Sequence, residues 1–538
     1  MKRKLPTLEW IGKDKVINHH QDVPYRILEH KYTYVGGGVT GDETADGNKI
    51  IKGDNLAALK SLLPQYEGKI KCIYIDPPYN TGNEGWVYND NVNDPKIKKW
   101  LNQVVGREGE DLSRHDKWLC MMYPRLKLLQ RLLSDDGAIF ISIDDTEQAN
   151  LRLICDEIFG ARNFIANILW QKRYSQSNDH KTICPMHDFL LVYRKSEIWQ
   201  RNLLPRTIEN DRQYRYEDEM GVFRPDNYTC NKSADERPNL YYPIINPNTG
   251  EEIWPKKTRV WSFSQEMHEE NIKKDLVFWG KDGTAHVPSF KRYRDALRGG
   301  GGTVPTTWWT FEFAGHNDSA RKEIRQFSLN IDFNTPKPSS LVERILQIAA
   351  SKDCLILDSF AGSGTTAHAV LNMNWRDGGD RKFILVEMED YAETITAERI
   401  RRVIDGYSDV EGTGGSFSFY ELGEPMLLED GNLNENVPVE LIREYVFYME
   451  TKLPLPKTPR TTSGQSGNHY YLGGCANTDY YFYYERDSIT TLDRAFLRTL
   501  NNLTEGYVIY ADKCRVSPEE LKKACVVFKK IPRDIARL

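Results

Sequence analysis

The sequence predicts an α/β fold with a mostly parallel sheet that carries helices on both faces. The first observation behind this prediction is that short apolar runs alternate with segments whose apolar residues recur at helical spacing. The second is that this alternation occurs in two separate stretches of the chain. Strand–helix–strand order is typical of parallel strands joined by crossover helices. A long region of different texture between the two stretches predicts an insertion.

The first stretch begins near Lys49 and contains two candidate strands. Residues 69–76 (KIKCIYID) and 138–144 (AIFISID) are short apolar runs rich in β-branched and aromatic residues, as expected for buried strands. Between them, residues 115–133 place apolar side chains at helical spacing, and Pro124 is expected to kink this helix or split it in two.

The second stretch runs from about residue 334 to residue 405. Ser340 and Glu343 have the spacing of a capping box and predict the start of a helix. The remaining predictions are strands at 355–358 and 382–388 and helices at 365–373 and 391–404.

Length and changes in composition predict several domains. At about 150 residues per domain, 538 residues correspond to three or four domains. Between the two stretches, short segments rich in Tyr, Trp and Pro alternate with turns, and a glycine run at 299–302 is expected to act as a hinge. The predicted segments are an N-terminal extension (1–48), a first core half (49–195), an insertion (196–318), a second core half (319–405) and a C-terminal domain (406–538).

Composition and charge exclude several classes of protein. Hydrophobic residues make up 40% and charged residues 28% of the chain, which is ordinary for a globular protein. No run approaches the ~18 consecutive apolar residues of a membrane helix, and the basic start lacks the apolar core of a secretory signal. Nine cysteines without a CxxC pair favour a reducing, cytoplasmic location and no metal site. With a net charge of −5, any surface that binds nucleic acid must be local.

The tetrapeptide Asp76-Pro77-Pro78-Tyr79 directly follows the first candidate strand. Ligands bind at this end of the strands in open parallel sheets. The two prolines fix φ and remove two backbone donors, which leaves a stiff loop with free carbonyl acceptors. Asp76 adds a side-chain acceptor and Tyr79 adds a flat ring, so the motif suits a planar heterocycle with an exocyclic amino group. Alone, it is equally consistent with the end of a strand at which Tyr79 is a packing residue.

A glycine turn follows the strand at 355–358. Gly362, Gly364 and Ala367 match the pattern G-x-G-x-x-G/A, and Glu387 lies 20 residues after Ala367, as expected for a carboxylate that binds ribose hydroxyls. The pattern predicts a nucleoside-containing cofactor without specifying which one. No lysine follows the glycines, which disfavours a phosphate-binding P-loop. Taken alone, the turn leaves a nicotinamide oxidoreductase as an alternative.

The two motifs together discriminate between enzyme classes. A dehydrogenase has no evident use for Asp-Pro-Pro-Tyr. An enzyme that moves a methyl group from S-adenosylmethionine to an amino nitrogen needs both a ribose-binding glycine turn and an acceptor clamp for the amine.

These residues resemble a known family, the S-adenosylmethionine-dependent amino methyltransferases that act on DNA. The order of the motifs, with Asp-Pro-Pro-Tyr 279 residues before the glycine turn, looks like the circularly permuted beta group, which carries a target-recognition domain between the two. The chain looks most like the modification subunit of a Type III restriction–modification system. The resemblance covers residues 51–55, 73–82, 118–145, 185–196, 333–346, 358–370 and 383–388.

The resemblance implies a Rossmann-like class I methyltransferase fold and specific residue roles. The loop Asp76, Pro77, Pro78 and Tyr79 would hold the target base, with Asp76 and the Pro78 carbonyl accepting hydrogen bonds from adenine N6 and Tyr79 stacking on the ring. Asp rather than Ser at the first position favours adenine N6 over cytosine N4 without excluding the latter. The implied cofactor-binding residues are Asp54, facing the cofactor adenine, Glu387, binding its ribose hydroxyls, and Asp358, Phe360, Gly362, Gly364 and Thr365.

The resemblance also implies the partners. They are double-stranded DNA with one flipped adenine, a restriction subunit and a second copy of the chain, with no membrane involved. A cytosine-N4 methyltransferase and a non-catalytic DNA-recognition subunit with the same fold remain as alternatives.

Overall fold

The computed structural model describes residues 7–42, 47–81, 112–176, 180–296, 302–327, 333, 335–456, 469–500, 504–532 and 535. The chain divides into two compact units. The smaller unit is Leu203–Pro305, which lies within the predicted insertion, and the larger unit consists of Met1–Asn202 and Thr306–Leu538. The predicted hinge at 299–302 falls largely outside the described residues.

One eleven-stranded sheet organises the larger unit. Its order is β8-β6-β7-β5-β4-β9-β10-β3-β11-β1-β2, in which the strands are β1 (Arg26–Val35), β2 (Gly38–Thr40), β3 (Lys49–Lys52), β4 (Ile70–Ile75), β5 (Leu133–Ile143), β6 (Phe164–Gln171), β7 (His187–Arg194), β8 (Trp308–Trp309), β9 (Leu355–Asp358), β10 (Lys382–Glu387) and β11 (Ser416–Pro425).

The centre of this sheet is parallel. The neighbours from β5 through β4, β9, β10 and β3 to β11 all pair in parallel, whereas β7 and β1 pair antiparallel to their neighbours. The central strands are almost entirely buried because apolar residues occupy successive positions and therefore both faces. The mostly parallel α/β fold predicted from the sequence is confirmed, as are its strands at 69–76, 138–144, 355–358 and 382–388.

Eight α-helices of eight or more residues are described in the larger unit. They are α1 (Asn55–Tyr66), α2 (Leu112–Leu132), α3 (Gln148–Cys155), α4 (Asn317–Gln326), α5 (Ser339–Ala349), α6 (Thr365–Asp377), α7 (Glu398–Asp405) and α8 (Val439–Thr451). Shorter helical turns are Lys13–Val16, His19–Asp22, Asp156–Gly160, Ala161–Asn163, Phe311–Ala314, Ala392–Ala397, Arg494–Leu497 and Pro518–Lys523.

Three local predictions differ from the structure. Helix α2 continues through Pro124, so the predicted split does not occur, and the packing of its buried face stabilises it across this position; the kink stays a prediction. Helix α5 has no capping box, since Pro338 is its N-cap and Glu343 pairs with Arg376 instead. The predicted helix at 391–404 begins with a π-helical turn, Ala392–Ala397, before α7.

Strands from both ends of the chain complete the large sheet. β1 and β2 come from the segment described as an N-terminal extension, and β11 comes from the segment described as a C-terminal domain. β1 pairs along its length with β11, and Tyr32 stacks on Phe419 at 5.2 Å between ring centroids. The boundaries placed at 48 and 406 therefore fall inside one compact unit, because backbone pairing joins segments that composition alone separates.

The larger unit also carries a small tyrosine-rich sheet near its C-terminus. Its strands are Tyr471–Cys475, Thr478–Phe482, Gly506–Ala511 and Val526–Lys530. Two-residue strand pairs join Gly406–Tyr407 to Val410–Glu411 and Thr491–Leu492 to Lys513–Cys514. Several side chains of the four-stranded sheet, among them Leu472, Phe482 and Tyr510, belong to the main hydrophobic core. This sheet therefore packs against the rest of the larger unit.

The smaller unit has its own core of Tyr228, Tyr242, Trp261, Trp279 and neighbouring aliphatic residues. Its strands are Tyr216–Asp218, Gly221–Asn227, Ile244–Ile245, Glu252–Ile253, Val277–Phe278 and Ser289–Tyr293, and its helices are Ile208–Asp211, Pro238–Leu240 and Gln265–Lys273. Within the described part of the chain, every helix is too short or too polar to cross a bilayer.

Candidate active site

Four acidic residues lie along one edge of the large sheet. Asp76 directly follows β4, Asp358 ends β9, Glu387 ends β10, and Asp54 comes two residues after β3. These four strands are neighbours and run parallel, so their carboxyl ends meet at the same edge. This edge is where ligands bind in open α/β sheets.

The Asp76 carboxylate is bound by a lysine that lies 261 residues further along the chain. Lys337 Nζ donates to Asp76 Oδ2 at 2.5 Å, and the Lys337 side chain is only 10% exposed. Asp76 Oδ1 is buried and accepts no hydrogen bond from the described residues. The Asp76 side chain as a whole is 24% exposed.

Helix α2 holds the loop that follows Asp76. The buried indole of Trp118 donates from Nε1 to the Pro78 carbonyl oxygen at 2.7 Å, which leaves that oxygen one lone pair for a further donor. Asn80 has a φ of 61°, a left-handed conformation that Asn tolerates better than most residues. Its Nδ2 donates to the buried Glu147, which also accepts from Asn150 and lies within hydrogen-bond distance of His115. The loop is therefore held at both ends.

The Tyr79 phenol is held neutral. Burial, followed by the nearby charges of Asp76 and Asp188, raises its pKa well above the ordinary value. Lys337 Nζ lies 5.0 Å from the centroid of the Tyr79 ring. The ammonium thus contacts both the acid and the aromatic face of the motif.

A second ion pair lies near the first. Lys172 Nζ donates to Asp188 Oδ1 at 2.5 Å, and Asp188 is 4% exposed. Burial raises the pKa of Asp188, while the charges of Lys172 and Lys337 oppose that rise. Two carboxylates and two ammonium groups therefore balance each other around Tyr79.

The glycine turn is organised by the two carboxylates that flank it. The Gly362 N–H donates to Glu387 Oε2 at 2.7 Å, and the Glu389 N–H donates to Oε1 at 3.1 Å. Phe360 N and Thr366 Oγ1 donate to the two oxygens of Asp358 at 3.0 and 2.5 Å. Burial raises the pKa of Glu387 and of Asp358 to about 7.

The turn requires glycine at two positions. Gly362 has a φ of +52° and Gly364 a φ of +81°, a region that L side chains rarely adopt. A Cβ at Gly364 would lie 3.2 Å from the Thr396 carbonyl oxygen, so no side chain fits there without displacing backbone.

Thr365 connects the glycine turn to Lys337. Its hydroxyl donates to the Lys337 carbonyl oxygen at 3.2 Å, and it accepts a hydrogen bond from the fully buried Arg399 at 2.9 Å. Lys337 thus joins the two loops. Its main chain contacts the glycine turn, and its ammonium contacts Asp76 of the Asp-Pro-Pro-Tyr loop.

Asp54 caps α1 beside a cavity. Its carboxylate accepts from Ala57 N at 2.9 Å and lies 3.7 Å from Arg125. The Gly53 N–H donates to the Glu387 carbonyl oxygen at 2.9 Å, which places this turn next to the end of β10. A cavity of about 730 Å³ opens here, lined in part by Asp54 and Met388.

Comparison with known proteins identifies the family. The sequence model of the family described as DNA methylase matches residues 70–398, which is more than half of the chain. The chain belongs to the DNA methylase family.

Three curated relatives illustrate the similarity. The Mod subunit of the Type III restriction-modification enzyme StyLTI from Salmonella typhimurium is 36% identical over 359 residues, which cover 64% of this methylase and 52% of the relative. The EcoPI Mod subunit of Escherichia phage P1 is 31% identical, covering 71% and 64%. The Type II methyltransferase M.KpnI of Klebsiella pneumoniae is 34% identical, covering 63% and 80%.

This methylase spans between half and two thirds of the length of the two Mod subunits. The region matched by the family model begins at β4 and ends at the start of α7. It therefore contains the Asp-Pro-Pro-Tyr loop, the insertion and the glycine turn.

The structure brings the predicted site residues of this methylase to one place. Asp76, Pro77, Pro78 and Tyr79 form one loop, and Asp358, Phe360, Gly362, Gly364, Thr365 and Glu387 form the turn at the ends of the next two strands. Asp54 lies at the end of the strand after those.

Sequence reasoning missed the residues that hold these loops. Lys337, Trp118, Glu147 and Arg399 each contact a motif from a distant part of the chain. The signal for Lys337 was the segment Pro336-Lys337-Pro338, in which two prolines fix the backbone around a single cation. The other three carry no local pattern.

Two segments of the smaller unit are rich in basic residues, 255–259 and 290–295, and they differ in accessibility. Lys256 and Lys257 are exposed. Lys291 is 8% exposed and bound to Asp218 and Asp275, and Arg292 pairs with Asp226, so the second cluster is largely neutralised within the unit. Lys256 and Lys257 therefore present the more accessible positive charge of the two segments.

Proposed function

We propose that this DNA methylase transfers a methyl group from S-adenosylmethionine to the N6 amino nitrogen of an adenine turned out of a DNA duplex. The observation that carries the proposal is the connection between the two loops. Thr365 of the glycine turn bonds the main chain of Lys337, and the ammonium of Lys337 bonds Asp76. A methyl group held at one loop thus lies close to an amine held at the other.

The residues of the glycine turn suit S-adenosylmethionine. Glu387 accepts two backbone N–H groups in the free protein, and ribose hydroxyls are donors of the same kind. We propose that Glu387 binds the ribose, that Asp54 faces the adenine from the wall of the cavity, and that Asp358, Phe360, Gly362, Gly364 and Thr365 shape the turn. When bound, S-adenosylmethionine supplies an electrophilic methyl group on a sulfonium.

The base must leave the duplex before it can react. A stacked base cannot present its amino nitrogen to a methyl donor, and extrusion costs a few kcal/mol. Stacking on Tyr79 returns about 1–3 kcal/mol of that cost. The two prolines stiffen the loop that carries this ring.

Asp76 and the Pro78 carbonyl activate the amino nitrogen. The lone pair of adenine N6 is delocalised into the ring, and hydrogen bonds to these acceptors favour a more tetrahedral nitrogen. With S-adenosylmethionine bound, Asp76 and the Pro78 carbonyl would direct this lone pair at the methyl carbon, whose bond to sulfur would break as its bond to N6 forms. Positive charge develops on the nitrogen, and preorganised acceptors stabilise it. The surplus proton leaves to Asp76 or to water.

The Trp118 contact prepares the second acceptor. Because its indole N–H already bonds the Pro78 carbonyl, that oxygen cannot rotate away, and its remaining lone pair is oriented before the base arrives. Asp rather than Ser at position 76 supports adenine N6 as the acceptor, with cytosine N4 as the alternative outcome.

We further propose the partners and the location. The names of two relatives, both Mod subunits of Type III restriction-modification enzymes, support a restriction subunit as a partner. A homodimer is proposed from the family resemblance alone. Double-stranded DNA as the substrate supports a cytoplasmic location.

Methylome sequencing tests the proposal directly. We expect genomic DNA from cells that express the chain to carry N6-methyladenine at one short sequence motif, and DNA from cells that express Asp76→Ala to carry none. If the motif carried N4-methylcytosine instead, the substrate base would be cytosine and not adenine. Absence of any new methylated base would contradict the proposal.

A further inference from the structure

Lys337 occupies one of the two acceptor oxygens of Asp76. Lys337 Nζ bonds Oδ2 at 2.5 Å, while Oδ1 is buried and has no hydrogen-bond partner among the described residues. The Asp76 side chain as a whole is 24% exposed. The hydrogen bond from Lys337 is therefore one that a ligand must replace to bond Oδ2.

The same ammonium lies near the aromatic face of the motif. Lys337 Nζ is 5.0 Å from the centroid of the Tyr79 ring, within the range of a cation–π contact. The two contacts made by this ammonium are those proposed for the target adenine, namely a hydrogen bond to Asp76 and contact with Tyr79.

We infer that Lys337 is a placeholder for the target base, a positioning residue whose ammonium fills the base-binding site until an extruded base displaces it. The inference rests on the proposed function, because it assumes that Asp76 and Tyr79 hold the base. It adds that base entry is a competition between an amino group and an ammonium for one carboxylate oxygen.

The surroundings allow the ammonium to leave while the backbone stays. Pro336 and Pro338 fix φ on either side of Lys337, and Thr365 holds its carbonyl oxygen at 3.2 Å. Only the side chain is free to turn. The charge of Lys337 also opposes the rise in the pKa of Asp188, a carboxylate that Lys172 already pairs.

A placeholder has a benefit that a purely structural ion pair lacks. It keeps the partly buried Asp76 carboxylate paired when no base is present, which reduces the cost of leaving that charge uncompensated. It also discriminates against ligands without a hydrogen-bond donor, because these cannot replace the bond that the ammonium gives up.

Lys337→Met tests the inference, because Met has similar length and no charge. The probe is a duplex that carries the motif methylated by the wild type, with the target adenine opposite an abasic site so that little pairing energy is lost on extrusion. Without cofactor, we expect Lys337→Met to bind this duplex about ten-fold more tightly than the wild type, because no ammonium must be displaced. Lys337→Arg, which keeps the cation, is expected to stay within about two-fold of the wild type.

Two controls exclude general effects of charge and stability. Lys529→Met removes another lysine ion pair with the same 2.5 Å contact, between Lys529 of the C-terminal sheet and Glu450 of α8, and is expected to show no gain. A duplex without the motif is also expected to show no gain with Lys337→Met, since loss of a positive charge alone weakens DNA binding. If Lys337→Met melts well below the wild type, Lys337→Gln takes its place.

The outcomes separate this inference from the proposed function. If the wild type methylates adenine but Lys337→Met and Lys337→Gln bind the probe no more tightly than the wild type, the placeholder role is wrong and the proposed function stands. If the wild type methylates no DNA base, both fail. A gain confined to the motif duplex and absent in Lys337→Arg supports the placeholder.

Discussion

Two buried carboxylates, Glu387 and Asp358, control the charge beside the glycine turn. Burial raises the pKa of both to about 7, against an ordinary range near 4. Both accept hydrogen bonds from neighbouring groups, which lower the pKa but do not outweigh burial. Because Glu387 binds more protons in the folded than in the unfolded chain, its contribution to stability is lost as the pH rises from about 4.5 to about 7.

The pH dependence of cofactor binding follows from Glu387. Ribose hydroxyls bond the ionised carboxylate most strongly, so we expect the affinity for S-adenosylmethionine to rise with pH by up to about ten-fold per unit below pH 7 and to level off above it. Isothermal titration calorimetry without DNA measures this. Glu387→Gln keeps Asp358 and should bind more weakly with this rise removed. A wild type whose affinity does not change between pH 6 and 8 would contradict the role of Glu387.

At this scale the sequence predicted acids and glycines but not their partners. Asp76, Glu387 and Gly362 stand in local motifs whose spacing has a chemical meaning. The contact between Lys337 and Asp76 joins residues 261 apart, and no local pattern records it. Trp118 was predicted as part of a buried helix face, and its hydrogen bond to Pro78 depends on how that helix docks.

At the scale of elements, a buried network holds the glycine turn against three helices. Arg399 on α7 is fully buried and donates to Ser363 Oγ and Thr365 Oγ1 in the turn region and to Glu323 on α4. Ser339, at the start of α5, donates to the other oxygen of Glu323. Although burial alone raises it, the pKa of Glu323 is lowered to about 2 by Arg399 and the neighbouring donors.

Arg399→Met should be strongly destabilising. It leaves the Glu323 carboxylate buried without its cation, and breaking such a pair costs about 3–5 kcal/mol. Urea denaturation measures the loss, and the double variant Arg399→Met with Glu323→Met should recover a large part of it. The contribution of Glu323 should persist above pH 4.5 and disappear as the pH falls toward 2.

Arg376 provides the matched control. It pairs with Glu343 at 2.6 Å, but its side chain is 53% exposed. Arg376→Met should therefore cost no more than about 1 kcal/mol. Equal losses from Arg376→Met and Arg399→Met would show that the buried network has no special weight.

The differences at this scale have physical causes. Helix α2 contains Pro124 because packing outweighs the lost hydrogen bond. The pattern Ser340-x-x-Glu343 failed as a capping box because Glu343 has a stronger partner in Arg376. The periodicity of the sequence shows neither how tightly α2 packs nor which partner Glu343 binds.

At the scale of the whole molecule, the large sheet draws on both ends of the chain. β11 pairs in parallel with β3 and antiparallel with β1, which joins residues almost 400 positions apart. The sequence predicted the parallel centre of the sheet, since each βαβ unit is local. It did not predict β1, β2 and β11 as parts of the same sheet, because antiparallel pairing between distant segments leaves no periodic signal.

Phe419→Ala tests the place of β11 in the core. Phe419 is 1% exposed and stacks on Tyr32 of β1, so its removal should cost about 3–5 kcal/mol in the free energy of unfolding. Trp375→Ala removes an equally large ring that is 59% exposed and should change stability by less than about 0.5 kcal/mol. A loss below about 1 kcal/mol for Phe419→Ala would show that β11 is not part of the structural core.

Transfer of a radiolabelled methyl group by Asp76→Asn tests the central claim most directly, with cofactor binding measured on the same preparation. The amide keeps the shape of Asp76 and loses its charge, so we expect transfer to DNA to fall by at least about 100-fold while the dissociation constant for S-adenosylmethionine stays within about two-fold. Asp136→Asn, at an exposed carboxylate paired with Lys71, should leave both unchanged. Normal turnover by Asp76→Asn would contradict the account.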